Sequence, residues 1–159
     1  MKRITTFAVA AMFICGIAVA QPANCPWKFV TGHWKLSDET GNESEVVWKA
    51  ADGDTLLGLW KGNDGKATEI AGWRSDTKEL VATGYGPKGE YWEVVFTTVT
   101  KKMIKGKIIQ RTPEGDVMRG IWQVTKKSDN EMPTSFVGTL NGEQVTIKGS
   151  FKRVKKAKK

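Results

Sequence analysis

Residues 55–86 read TLLGLWKGNDGKATEIAGWRSDTKELVATGYG. Two polar clusters break this stretch, Asn63-Asp64-Gly65 and Ser75-Asp76-Thr77-Lys78. Both carry the residue types that tight turns demand. The segments they separate, 55–62, 66–74 and 79–86, are rich in apolar and β-branched residues and are expected to be strands joined as hairpins. The same punctuation continues in both directions, at Asp52-Gly53, Gly86-Pro87-Lys88-Gly89, Thr112-Pro113-Glu114-Gly115, Ser128-Asp129-Asn130 and Asn141-Gly142. It frames further strand segments at 29–37, 44–51, 90–100, 102–112, 116–126, 134–140 and 143–153. Trp92-Val94-Phe96 and Met118-Gly120-Trp122-Val124 alternate with period two, as one face of a strand does. No amphipathic helix of ten residues or more is apparent, and a single helical turn is expected around Asn24–Val30. The fold class is therefore all-β: a single antiparallel up-and-down barrel of eight to ten strands, because a meander that long must hide its edges. Glycines inside most strand segments (Gly58, Gly72, Gly84, Gly106, Gly120, Gly138 and Gly149) point to a strongly curved sheet. A two-sheet sandwich is the alternative.

The N-terminus follows the secretory pattern. Lys2 and Arg3 precede an uncharged, mostly apolar run from Phe7 to Ala20 that ends in Ala18-Val19-Ala20. Residues 1–20 are thus expected to be a signal peptide, 21–153 the barrel domain and 154–159 a basic tail, with the protein exported to the periplasm or the extracellular space. Cys15 would leave with the signal peptide, and Cys25 would remain as a lone thiol able to pair only between chains. The chain has 25 Lys+Arg against 17 Asp+Glu. Lys2 and Arg3 account for two of the basic residues, and Lys152, Arg153, Lys155, Lys156, Lys158 and Lys159 for six more. What is left in 21–151 is 17 basic against 17 acidic residues. The excess charge belongs to the tail, so a sequence-specific nucleic-acid face on the domain is not indicated. Lys155, Lys156, Lys158 and Lys159 are the candidates for contact with an anionic envelope surface.

Seven tryptophans are the most informative side chains. Six lie in separate strand segments, and three sit in G-x-W triplets: Gly32-His33-Trp34, Gly58-Leu59-Trp60 and Gly120-Ile121-Trp122. Residues i and i+2 share a strand face, so the glycine is expected to clear space beside the indole, which folds over it or over its neighbour. The rings either fill a core or line a cavity that offers an apolar wall and an orienting N–H.

With these motifs the sequence resembles the lipocalin-like, or calycin-type, barrels. The Gly32-x-Trp34 unit at the start of the first strand carries the likeness. The resemblance implies that Trp34 closes one end of the barrel beneath a basic residue of the last strand, here Arg153, with Lys152 adjacent. A closer similarity, over most of residues 27–153, is to small exported bacterial domains of unknown function. It is carried by Leu56-x-Gly58-x-Trp60, Gly72-Trp73, Gly84-Tyr85-Gly86 and the G-x-W near residue 120. These motifs imply a fold and not an activity.

Few residue sets could carry chemistry. His33 is the only histidine and, as the neighbour of Trp34, should face outward if Trp34 faces inward. Haem-binding barrels of the nitrobindin type carry their ligating histidine near the C-terminus, where this chain has none, so no cofactor is expected. No Cys/His cluster has zinc spacing, and no metal site is expected. Glu43 with Glu45, or Glu69 with Glu93, could form an acid–base pair inside a barrel. Glu69 shares a face with Ala71 and Trp73 and is the candidate inward carboxyl group. Three readings follow. The first is a binding module holding a small apolar or amphipathic molecule, with Trp48, Leu56, Trp60, Glu69, Trp73, Trp92, Phe96, Met118 and Trp122 at the site. The second is a filled, envelope-associated barrel whose basic tail contacts anionic surfaces. The third, an enzyme using inward carboxylates such as Glu69, is disfavoured because the usual nucleophile–base sets are missing.

Overall fold

The computed structural model describes residues 28–51 and 55–155. The expected signal peptide, Cys15, Cys25, Trp27, the Asp52-Gly53 turn and Lys156, Lys158 and Lys159 lie outside the described residues. Ten strands run in chain order: β1 (Gly32–Asp38), β2 (Glu43–Ala50), β3 (Leu56–Gly62), β4 (Gly65–Arg74), β5 (Glu79–Tyr85), β6 (Tyr91–Val99), β7 (Met103–Arg111), β8 (Val117–Thr125), β9 (Glu131–Leu140) and β10 (Glu143–Arg153). Each pairs antiparallel with its chain neighbours, and β1 pairs with β10, so the sheet closes into an up-and-down barrel. Closure excludes the sandwich and leaves no free edge.

The strands end where the turn residues place them. Asn141 and Gly142 both have positive φ, 53° and 92°, which is the geometry a two-residue hairpin turn needs. β1 begins three residues later than expected, at Gly32, and β9 three residues earlier, at Glu131, so that it runs through Pro133. Pro133 lies one residue beyond the last β8–β9 pair, Val124↔Thr134, and is paired only with Ser150 of β10, so a missing N–H is tolerated there. β6 carries a bulge between Phe96 and Thr98. Of the expected turn around Asn24–Val30, residues 28–30 form a turn.

Alternation sends one face of each strand inward. The buried core gathers at the end where β1 begins: Phe29, Val30, Trp34, Val46, Leu56, Val124, Met132 and Phe151 are all at most 9% exposed. This end is plugged by Trp34, which is fully buried and donates its indole N–H to the Val30 carbonyl at 2.7 Å. The Arg153 guanidinium lies 4.0 Å over the Trp34 ring. Its Nε–H donates to the Asp129 carbonyl at 2.6 Å and Nη1 to the Thr31 carbonyl at 3.2 Å. On β10 the inward residues are Ile147, Gly149, Phe151 and Arg153, so alternation gives this place to Arg153 and turns Lys152 to solvent.

Candidate functional site

From the plugged end the barrel opens into a cavity of about 560 Å³. Its inner wall includes Val30, Trp48, Leu56, Ala71, Ala82, Val94, Ile104 and Phe151. Turns at the opposite end, with Asp38, Asn42, Asn63, Asp64, Pro87 and Glu90, form the rim. The middle of the wall is built by one cross-strand row. Trp48 of β2 pairs with Gly58 of β3, Gly58 with Glu69 of β4, Glu69 with Gly84 of β5, and Gly84 with Trp92 of β6. All five positions point inward along one line of register across the strands. The sequence therefore spells a nearly symmetric W–G–E–G–W row across five strands.

The glycines are what let the row close. Cross-strand partners are only about 5 Å apart, so a ring can lie over a neighbour that has no side chain. A Cβ on Gly58 would stand 2.8 Å from Trp48 Nε1 and 2.9 Å from its Cδ1. A Cβ on Gly84 would overlap the Trp92 ring. Each indole lies over its glycine and donates to the carboxyl group beyond it: Trp48 Nε1 to Glu69 Oε1 at 3.0 Å, and Trp92 Nε1 to Glu69 Oε2 at 2.9 Å. Glu69 is only 8% exposed. Burial pushes its carboxyl group above the ordinary range, opposed by the N–H groups of Trp92 and Trp48, which bond to it, and by the nearby Trp60 N–H, which does not meet hydrogen-bond geometry. Trp60 stands edge-on to both other rings, with centroids 5.3 Å from Trp48 and 6.3 Å from Trp92 and interplanar angles of 89° and 84°. Its own Nε1 is buried and makes no hydrogen bond.

The G-x-W expectation is corrected in one respect. In two of the three triplets the glycine does not serve its own tryptophan: Gly58 sits beneath Trp48 rather than Trp60, and Gly120 meets β9 backbone and Phe136 rather than Trp122, whereas Gly32 makes room beneath the Arg153 guanidinium and beside Trp34. Space is cleared across strands because the neighbouring strand is nearer than the next same-face residue along the chain.

Trp48, Leu56, Trp60, Glu69, Trp92, Phe96, Met118 and Trp122 all line the cavity. Trp73 faces inward but does not line it. β4 runs towards the plugged end, and Trp73 lies one inward position beyond Ala71, packed against the core there. Sequence reasoning missed Phe136, Ile108, Gln110 and the rim carboxylates. Strand alternation could have found the first three. The proposed carboxylate pairs do not converge. Glu93 is on the outer face, 3.9 Å from Arg74, while Glu69 is inside. Glu45 and Glu43 pair outside with His33 (3.1 Å) and Lys35 (2.8 Å). His33 is 40% exposed by side chain and faces away from Trp34. Lys155 is exposed, two residues beyond β10. Among the described residues no group of three or more His, Cys, Asp or Glu side chains could hold a metal ion. Chemically the cavity offers aromatic faces, one buried carboxyl group and one unused N–H donor.

No family model matches the chain, and no curated protein matches it. Similar solved structures include a redesigned beta barrel at 15% identity and a TM-score of 0.42, covering 84% of this chain and 98% of that one. Another is a redesigned beta barrel, mFAP1, bound to DFHBI, at 13% identity and a TM-score of 0.41, covering 82% of this chain and 100% of that one.

Proposed function

We propose that the barrel binds a small amphipathic molecule that enters by the end opposite Trp34 and Arg153. The observation that carries this reading is the cavity itself, with indole walls around a buried carboxyl group and an N–H donor, Trp60 Nε1, that has no partner. A buried donor without an acceptor costs roughly 1–3 kcal/mol, and a ligand acceptor or a bridging water would remove that cost. Pockets of this size and lining, few in number and mostly apolar, are the usual form of small-molecule sites. The closed plug and open rim also fit a lipocalin-like carrier that works outside the cell after removal of residues 1–20. Contact of Lys155, Lys156, Lys158 and Lys159 with an anionic surface would hold such a carrier at an envelope. A filled barrel, the competing reading, would need these rings to pack without leaving space.

The test is native mass spectrometry of the protein purified from its source, with titration of N-phenyl-1-naphthylamine as a neutral reporter. The expected result is a non-covalent mass lost on unfolding, and a saturable fluorescence rise in the emptied barrel. A bare protein mass together with no saturable rise would refute the reading.

A further inference from the structure

The charge of the cavity is opposite to that of the chain. The carboxyl groups of Asp38, Asp64, Glu69 and Glu90 line it, with Glu43 at the rim turned outward to Lys35, and no lysine, arginine or histidine lines it among the described residues. Yet Lys+Arg exceed Asp+Glu by 25 to 17 over the whole sequence. We propose that the occupant of the barrel is an organic cation, an ammonium or amidinium group carried on an apolar body, with the charge held at Glu69 between Trp48, Trp60 and Trp92. This rests on the reading of the barrel as a small-molecule binder and names the class of molecule.

Three observations support it. Glu69 is buried with two N–H donors and no cation beside it. Indole dipoles satisfy its lone pairs but leave its charge uncompensated, which is the costly condition for a buried carboxylate. Trp60 stands at 89° to Trp48 and 84° to Trp92, and an indole face, unlike its edge, attracts a desolvated cation. The rim carboxylates are partly engaged, Glu43 with Lys35 and Glu90 with the Gln110 amide at 3.0 Å. They still give the entrance one sign, and a like-charged cleft concentrates counter-ions. The inward residues of the strands flanking β4, namely Leu56, Gly58 and Trp60 of β3 and Leu80, Ala82 and Gly84 of β5, contain no titratable group. No group on these strands answers a charge on Glu69, and in the proposal the ligand supplies the answering charge. Burial holds the empty site's carboxyl group above its ordinary range, and a cation beside it would reverse that direction.

The experiment is a calorimetric comparison of three probes with one chain length, decylammonium, 1-decanol and decanoate, below their aggregation limits at neutral pH and low salt. Decylammonium should bind about tenfold tighter than decanol, with decanoate the weakest. Glu69→Gln should abolish the preference for decylammonium while decanol binding survives. The ranking in the unaltered protein needs no variant, so a Glu69→Gln protein that fails to fold does not spare the proposal. Decanol or decanoate binding as tightly as decylammonium would overturn the cation and leave the binding barrel intact. Binding of none of the three would overturn both. A cation preference that persists in folded Glu69→Gln would overturn the assignment to Glu69.

Discussion

Replacing Gly84 by alanine tests the row that builds the cavity wall. The added Cβ would overlap the Trp92 ring and push it from its place over Gly84 towards the cavity. Alanine alone should stabilise a strand by roughly 0.5–1 kcal/mol relative to glycine. Against this, overpacking costs about 1–3 kcal/mol. Displacing Trp92 also removes its 2.9 Å hydrogen bond to the buried Glu69, a bond to a charged group worth about 1.5–3 kcal/mol. The net expectation is a loss of about 2–4 kcal/mol. Gly72→Ala is the matched control: it lies on the outer face of β4, where a Cβ would find only Thr55 Oγ1 at 3.7 Å, so it should be neutral or slightly stabilising. Urea denaturation followed by near-UV circular dichroism reads both, and the slope with denaturant should stay constant. In a Trp92→Leu background the cost of Gly84→Ala should fall sharply, because the clash and the hydrogen bond are already gone. If Gly84→Ala were as stable as Gly72→Ala, Trp92 would not be held over Gly84, and the account of the wall would be wrong.

Three further outcomes are expected. The folded Glu69 carboxyl group titrates above its ordinary value of 4.5, so the folded state holds that proton more tightly than the unfolded chain. Its penalty is absent below about that value and grows as pH rises through the folded value, so stability should fall with pH in this window. Thermal midpoints of Glu69→Gln should lack this dependence, and a parallel pH profile in the two proteins would contradict the assignment. Trp60→Phe removes a donor that has no partner and should change the empty barrel's stability by less than about 1 kcal/mol, whereas Trp48→Phe also strips a bond from Glu69 and should cost clearly more in urea titration. Arg153→Met removes the guanidinium from over Trp34 and leaves the Asp129 and Thr31 carbonyls without their donor, and should cost about 1–3 kcal/mol by the same assay.

Much of the fold is legible in the sequence because hairpin turns are local. Asn141-Gly142, Asn63-Asp64-Gly65 and Ser75–Lys78 fix where strands stop without reference to anything distant. Inward and outward faces follow from alternation, which is why Glu69 could be placed inside and His33 outside. Height along the barrel axis and cross-strand register are not local. Trp73 has the inward parity of Glu69 and Ala71, yet it lies at the plugged end because β4 runs that way. Gly58 looks like the companion of Trp60, two residues away, but register makes it the companion of Trp48. Pro133 shows the converse. A residue that argues against a strand was accommodated because pairing with β8 had already ended.

The seam between β1 and β10 has a kinetic consequence. The W–G–E–G–W row lies within residues 48–92 and is assembled by successive hairpins, whereas the seam bonds Arg153 to a carbonyl 122 positions away in the chain. Loop-closure entropy delays contacts of such separation. The hairpins should therefore be largely formed at the folding transition state, with the Arg153 clasp over Trp34 added afterwards. Weakening the clasp should then quicken unfolding and leave the refolding rate nearly untouched. The plug would set the lifetime of the closed barrel, and the hairpins the speed at which it is made.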